Sequence, residues 1–373
     1  MKRRILEIIP TLDRAGAEKQ MVMLADRLPR DEFDVHVCAL TRGGPLETDL
    51  HEAGIPVTLI GKRWKFDPRA FWQLKRHVAE LRPELIHTWI FAADAYGRAA
   101  GMACNVPHMI CGLRCVDPWK SAWQLAVDRW LARRTSRIVA NSPGVKAFYV
   151  GKGLAADQIE VIPNAVVPLG PSTVTRSELL AELELPENAK LIGLVGRLWA
   201  QKRVKDAIWA ADLLKVIRKD THLLIIGDGP LYDSLRRYRD QVQIRDQVHF
   251  LGSRDDVARM TPHFDVLWST SGYEGQSNAI MEAMSAGVPV VATDIPGTRD
   301  LITDDETGRL FPIGNRAMLA KRTNQILNDA ELAKRLGEAG RRRMTEEFCV
   351  EQMVQRYAEL YRRVLAGTTD EHR

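Results

Sequence analysis

Two doubly wound α/β domains in tandem are what this sequence predicts, and three observations carry the prediction. Short apolar runs of strand length alternate with helical patterns, the order that winds helices onto both faces of a parallel sheet. The alternation breaks once, between Ile162 and Lys190, where Pro163, Pro168, Gly170, Pro171 and Pro186 fall, and it restarts with the apolar run 191–195. The 373 residues also exceed the size at which one hydrophobic core keeps growing, so each half is expected to bury its own.

The first half opens with the apolar run 5–9, ended by Pro10, then a loop containing Gly16 and a helical pattern over 17–28. Strand-like runs follow at 33–40, 56–60, 85–89, 106–111 and 138–140, separated by helical patterns such as 71–81 and 123–133. In the second half strands are expected at 191–195, 222–226, 248–251, 266–268, 288–292 and 309–311. The stretch 317–365 reads as almost wholly helical, with Leu319, Ile326, Leu332 and Leu336, then Met353, Tyr357, Leu360 and Val364, on its apolar face. Domains are therefore expected at 1–167 and 168–349, facing across a cleft, with a final helix in 350–373 crossing back onto the first. In open sheets of this kind ligands bind beyond the carboxyl ends of the strands, so the loops just after each strand matter most.

Composition removes several classes. Hydrophobic residues make up 45% and charged residues 27%, which excludes disordered and fibrous chains. A net charge of +5 suits a phosphate-bearing ligand or an anionic surface and falls short of a nucleic-acid footprint, so no nucleic-acid partner is expected. The five cysteines, Cys38, Cys104, Cys111, Cys115 and Cys349, form no C-x-x-C pair; neither a disulfide framework nor a zinc site is indicated, and a reducing cytoplasm is expected. Behind the basic Met1-Lys2-Arg3-Arg4 the apolar run stops at Pro10, too short for a signal-peptide core or a spanning helix. No cofactor and no metal is expected.

Two loops carry the chemistry. After the strand at 191–195 come Gly196, Arg197 and Lys202, then a helix from about Val204. A glycine, two cations and a helix start make an anion site suited to a leaving diphosphate; the alternative is a solvated basic turn. After the strand at 266–268 comes Ser271-Gly272-Tyr273-Glu274-Gly275-Gln276-Ser277-Asn278, with Glu282 on the helix that follows. Gly275 lets backbone approach a ligand, Ser277 is placed to cap the helix, and two carboxylates at one strand's end can read two sets of hydroxyls. The alternative is a capped helix with one solvent-facing glutamate.

The pairing of Gly-Arg-Leu…Lys with Glu, seven residues, Glu resembles the large retaining glycosyltransferase family that includes bacterial mannosyl- and glucosyltransferases of glycolipid and polysaccharide assembly. Gly16-Ala17-Glu18, Leu85-Ile86-His87, Asn141-Ser142, Val161-Ile162-Pro163-Asn164, Gly227-Asp228-Gly229-Pro230 and the run 286–291 extend the resemblance over nearly the whole chain. It implies the GT-B fold of two Rossmann-like domains and transfer of a hexose, with retention and without a metal, from a UDP- or GDP-sugar. The acceptor it implies is a glycan, a glycolipid or another acceptor of cell-envelope or exopolysaccharide assembly. By that similarity Arg197 and Lys202 bind the donor diphosphate, Glu274 engages the sugar, Glu282 the ribose, and the Gly16 loop closes over the phosphates. Gly196, Gly275, Ser277 and Asn278 complete the donor side. The sequence departs from the pattern at Ala15 and Ala165, and Arg114 stands where many members carry a histidine near the sugar. His87 and Arg114 are the acceptor-side candidates; a histidine at a strand end is otherwise a satisfied structural group.

The partners expected are thus a nucleotide sugar and a carbohydrate or lipid-linked acceptor, with peripheral contact at the inner face of an anionic membrane as a further hypothesis. Basic and aromatic residues interleave at Lys62-Arg63-Trp64-Lys65-Phe66, at Arg69, Phe71, Trp72, Lys75 and Arg76, and at Trp119, Lys120 and Trp123. The alternative is a helix that packs Trp72, Leu74 and Val78 inward under a solvated basic face. Rival functions on the same architecture are a non-catalytic nucleotide-sugar binding or scaffold protein and a sugar-nucleotide epimerase. A nicotinamide oxidoreductase ranks lower, because the first loop lacks G-x-G-x-x-G.

Overall fold

The structure is a computed structural model that describes residues 2–170 and 172–367. Pro171 of the expected linker, Met1 and the residues after Gly367 lie outside the described residues. The chain divides into two compact units, 1–165 with 350–373, and 166–349.

In the first unit strands and helices alternate strictly: β1 (Arg3–Thr11), α1 (Gly16–Arg27), β2 (Phe33–Arg42), α2 (Leu46–Glu52), β3 (Val57–Leu59), α3 (Pro68–Leu81) and β4 (Leu85–Trp89). Then come α4 (Ile90–Ala103), β5 (His108–Leu113), α5 (Ala122–Ala132), β6 (Arg137–Ala140), α6 (Pro143–Val150) and β7 (Ile159–Val161). All pairings are parallel, in the order β3-β2-β1-β4-β5-β6-β7. The second unit holds α7 (Arg176–Glu182), β8 (Lys190–Val195), α8 (Val204–Ile217), β9 (Thr221–Ile226), α9 (Tyr232–Gln241), β10 (Val248–Gly252) and α10 (Val257–Met260). It continues with β11 (Val266–Ser269), α11 (Asn278–Ser285), β12 (Val290–Thr293), α12 (Pro296–Arg299), β13 (Arg309–Phe311), α13 (Arg316–Asn328) and α14 (Ala330–Glu347). Its parallel sheet runs β10-β9-β8-β11-β12-β13. In both sheets the winding reverses between the unit's first and fourth strands, the place where a crevice opens beyond the strand ends.

Local chemistry sets the element ends. Asp67 caps α3 by accepting from the Ala70 N–H at 3.1 Å, with Pro68 in the first helical position, where no N–H is needed. Ser142 caps α6 through the Val145 N–H at 3.1 Å, and Thr175 and Glu178 form a capping box on α7. Several expected boundaries move. Pro10 lies inside β1: the β1–β4 register ends at Ile8, and against β2 the register shifts between Ile9 and Thr11, so the missing proline N–H costs no ladder bond. The run expected at 106–111 starts at His108, because the Val106 N–H still closes the turn after α4 on Gly101 at 2.9 Å. The strand expected from Val288 starts at Val290, since the Val288 N–H closes α11 on Ala283 at 2.9 Å and Pro289 has none. The helical stretch 317–365 is three helices, broken at Asp329, which caps α14 through Leu332 at 2.9 Å, and again at Phe348.

The third of these helices, α15 (Val350–Leu365), buries Met353, Tyr357, Leu360, Tyr361 and Val364 in the core of the first unit, beside Ile5, Phe33 and Trp89. Each fully buried large side chain contributes roughly 1.5–3 kcal/mol, so α15 is held as firmly as any internal element.

Candidate functional site

At the reversal of the second sheet, β8 and β11 lie side by side and their following loops meet. Gly196 leaves β8 at φ +152°, its N–H donating to Ile226 at 2.9 Å, and the Leu198 N–H donates to Asp228 at 2.9 Å. A Cβ on Gly227 would lie 2.1 Å from the Gly196 oxygen and one on Gly229 2.8 Å from the Leu198 nitrogen. The β8 and β9 loops therefore interlock only where side chains are absent. A Cβ on Gly196 would stand 3.4 Å from Cε of Lys202, so the lysine stem runs across that glycine.

A short 3₁₀ turn, Ala200–Lys202, presents the lysine. Three hydrogen bonds stitch the turn to the loop after β11: Thr270 Oγ1 donates to the Lys202 carbonyl at 2.7 Å, the Gly272 N–H to that of Gln201 at 2.8 Å, and Gln201 Nε2 to that of Tyr273 at 2.8 Å. Across the join, Lys202 Nζ meets Glu274 Oε1 at 2.5 Å. Ser271 Oγ donates to the same oxygen at 2.7 Å, and Gln201 Nε2 reaches Oε2 at 3.3 Å. Glu274 is 9% exposed, so its charge is held by three donors rather than by water. Lys202 keeps 22% of its side chain exposed.

Of the residues singled out from the sequence, Gly196, Lys202 and Glu274 come together here. A small depression lined by Lys202, Thr270, Ser271, Ser277 and Ala279 adjoins them. Arg197 is exposed and lies beside Trp199, 5.4 Å from the ring centroid, clear of the Lys202–Glu274 pair. Gly275 is buried, its carbonyl pressed against Gly297, where a Cβ would come within 1.9 Å. Ser277 stands at the α11 cap position, yet its hydroxyl makes no capping bond, contrary to the expectation from sequence. Asn278 opens α11, and Glu282 follows one turn on, half-buried. The expected positive end of α8 is also met internally: Asp206 in its first turn accepts from Arg203 and Arg316, each at 2.7 Å. The sequence reading placed Ser271 and Gln201 in these loops without giving them a role, and it did not name Thr270. Among the described residues no group of three or more His, Cys, Asp or Glu side chains could hold a metal ion.

Gly16, His87 and Arg114 belong to the other unit. Gly16 begins α1. His87 is fully buried, its Nδ1 2.7 Å from the Tyr361 hydroxyl and 3.1 Å from Glu7. Tyr361 and Trp89 pack against its ring, the surroundings of the structural alternative the sequence left open. Tyr361 donates to Glu7 Oε1 at 2.8 Å and Trp89 Nε1 to Oε2 at 2.6 Å, so the buried carboxylate is satisfied. Burial, with Glu7 beside it, pushes the Tyr361 hydroxyl well above its ordinary pKa. Arg114 is half-buried over the Trp89 ring at 4.7 Å and donates to Tyr357 at 3.2 Å and to Asn164; burial lowers its pKa.

Two family models match this chain, Glycosyltransferase Family 4 over residues 14–168 and Glycosyl transferases group 1 over residues 175–343. EpsD of Bacillus subtilis (strain 168), assigned as a glycosyltransferase, is 32% identical over 80% of this chain and 83% of its own. The chain belongs to this glycosyltransferase family. The UDP-Gal:alpha-D-GlcNAc-diphosphoundecaprenol alpha-1,3-galactosyltransferase of Escherichia coli is 24% identical to this glycosyltransferase over 95% of both chains. The N-acetyl-alpha-D-glucosaminyl L-malate synthase of Bacillus anthracis is 31% identical, but the match spans only 51% of this chain and 49% of that one. Among solved structures, Anabaena HepE in complex with UDP and glucose superposes with a TM-score of 0.87 at 23% identity, over 96% of this chain and 99% of its own. The fold of this glycosyltransferase is accordingly GT-B, with two Rossmann-like domains.

Proposed function

We propose that this glycosyltransferase moves a hexose from a UDP-sugar to a carbohydrate or lipid-linked acceptor of cell-envelope or exopolysaccharide assembly, with retention and without a metal. The observation that carries the reading is the Lys202–Glu274 pair at the sheet reversal, a partly exposed cation beside a buried carboxylate. In this reading Lys202 and Arg197 hold the diphosphate and offset the charge that grows on the leaving oxygen, the preorganised electrostatics that supplies the largest catalytic contribution in many enzymes. The acceptor oxygen bonds to the anomeric carbon as the carbon–phosphate oxygen bond breaks, and the acceptor's proton passes to the departing phosphate. Glu274 orients sugar hydroxyls, fixed by Ser271 and Gln201; Glu282 takes the ribose, and Gly275, Ser277 and Asn278 line the donor. UDP is favoured because the Escherichia coli relative is a UDP-Gal-dependent galactosyltransferase and HepE is solved in complex with UDP. The acceptor of the first is diphosphoundecaprenol-linked, which makes peripheral contact with an anionic membrane part of the reading.

Thermal stabilisation by UDP-, GDP-, ADP- and dTDP-sugars tests the donor assignment, since a ligand at 100 times its Kd stabilises by about 2.7 kcal/mol. A shift with UDP-sugars that vanishes in Arg197→Ala and Lys202→Ala is expected. A shift that persists in both variants moves the donor elsewhere, and one confined to GDP-sugars overturns the choice of base.

A further inference from the structure

Six large aromatic side chains of the first unit, Trp64, Phe66, Trp72, Trp119, Trp123 and Trp130, are 48–70% exposed. They are not scattered. Phe66 and Trp123 place their ring centroids 6.1 Å apart, and Lys65 Nζ sits 6.0 Å from the Trp123 ring, which joins the 62–76 segment to α5. On α5, Trp123, Ala126, Val127 and Trp130 follow one another at helical spacing and lie exposed or half-buried, while Gln124, Asp128 and Leu131 turn inward. The outward stripe of α5 is thus its apolar one, and it ends in the exposed Arg133 and Arg134. Trp72 also faces outward, against the expectation that it packs with Leu74 and Val78, which are buried.

The charge on this face is mostly positive, the exposed Glu80 of α3, 3.7 Å from Arg76, standing at its edge. Between residues 61 and 79 the only acid is Asp67, buried as the α3 cap, against Lys62, Arg63, Lys65, Arg69, Lys75 and Arg76. Between residues 118 and 136 the only acid is Asp128, buried and paired with Arg98 at 3.1 Å and Lys120 at 2.9 Å. Lys120, expected from sequence to belong to the basic surface, is itself buried in that pairing, and Arg129, Arg133 and Arg134 take its place outside. Exposed aromatic side chains among cations, with Asp67 and Asp128 withdrawn into the fold, match the boundary between anionic headgroups and acyl chains.

We propose that the 62–76 segment and α5 form one docking face for an anionic lipid bilayer, with Trp123 and Trp130 as the inserting side chains and Arg129, Arg133 and Arg134 contacting headgroups. The proposal rests on the reading of a lipid-linked acceptor and names the surface and the chemistry that would bring the enzyme to it. Aromatic insertion supplies the salt-resistant part of the affinity, and each headgroup contact about a fivefold gain at low salt.

The test is flotation of the whole protein with vesicles of equal phosphatidylglycerol and phosphatidylcholine, and with phosphatidylcholine alone. Tryptophan quenching by brominated acyl chains is measured alongside. Binding confined to the anionic vesicles and weakened by salt is expected, with quenching that disappears in the Trp123→Ser/Trp130→Ser double variant and at least a tenfold loss of binding. An Arg129→Gln/Arg133→Gln/Arg134→Gln variant is expected to lose at least tenfold while keeping its quenching when bound. Equal binding to neutral vesicles, binding unchanged in both variants, or no flotation overturns the proposal. So does a dimer in solution that the tryptophan variant dissolves, which assigns the face to a second copy of this chain. Stabilisation by UDP-sugar, measured on the same variants, reports the donor site separately: its retention without vesicle binding sinks the docking face alone.

Discussion

The two sheets reverse their winding in the same way and place polar residues there in comparable numbers, yet one reversal is open and the other is sealed. Beside β8 and β11, Lys202 and Glu274 form a pair with the lysine 22% exposed. Beside β1 and β4, Glu7 and His87 are fully buried: Tyr361 and Trp89 donate to the two Glu7 oxygens and the Tyr361 hydroxyl meets His87 Nδ1, while His87 Nε2 has no partner among the described residues. Fold topology alone therefore does not make a site; what covers the strand ends decides whether charge can meet a ligand.

The sharpest way to break this comparison is to remove one group from each side. Lys202→Ala is expected to lower turnover about 100- to 1,000-fold, the scale of losing one preorganised donor, because Ser271 and Gln201 still hold Glu274 and the fold survives. Turnover measured beside the melting temperature decides it, and comparable losses of folded yield and activity would count against a catalytic role. Tyr361→Phe is expected to do the reverse. Glu7 and His87 each lose a buried partner, so urea unfolding should show a loss of about 2–4 kcal/mol while the stabilisation by donor sugar is unchanged.

The smallest effect concerns pH. His249 and His222 stack on β10 and β9 with ring nitrogens 3.0 Å apart, and burial together with the His222 charge lowers the His249 pKa to about 4. Between an unfolded value near 6.5 and that folded value, the unfolded chain binds a proton the folded chain refuses. Stability must then fall as pH drops through this window, by about 1–2 kcal/mol for a partly exposed group. Urea titrations at pH 7.5 and 4.5 should show that dependence shrinking in His249→Gln, and an unchanged slope would remove His249 as its source.

Much of the fold was legible because buried apolar runs leave a strong signal. Strands at 85–89 and 309–311 and the α8 start at Val204 fall where the sequence put them. The three-residue β7 did not, since an edge strand that short shows no period. Pro10 was read as a stop because sequence carries no information on which ladder a residue faces, and Val288 because turn closure after a helix looks apolar too. In the candidate site, Gly196, Lys202 and Glu274 were found by residue type and spacing. Ser271, Gln201 and Thr270 were given no role because their work is to hold other groups, and a hydroxyl or amide doing so looks like any loop residue. For His87 the sequence left two readings open, because its cover comes from Tyr361, 274 residues away.

That distance has a consequence for synthesis. A chain emerging from the ribosome completes the 166–349 unit before α15 exists, although the first unit began to appear long before. Until α15 arrives, Glu7 and His87 lack the tyrosine hydroxyl that satisfies them, and the apolar faces around Ile5 and Phe33 lack their lid. The nascent first unit is thus the stage at which a chaperone, or a wrong partner, finds exposed core, and the later-made unit is the one that can finish folding first.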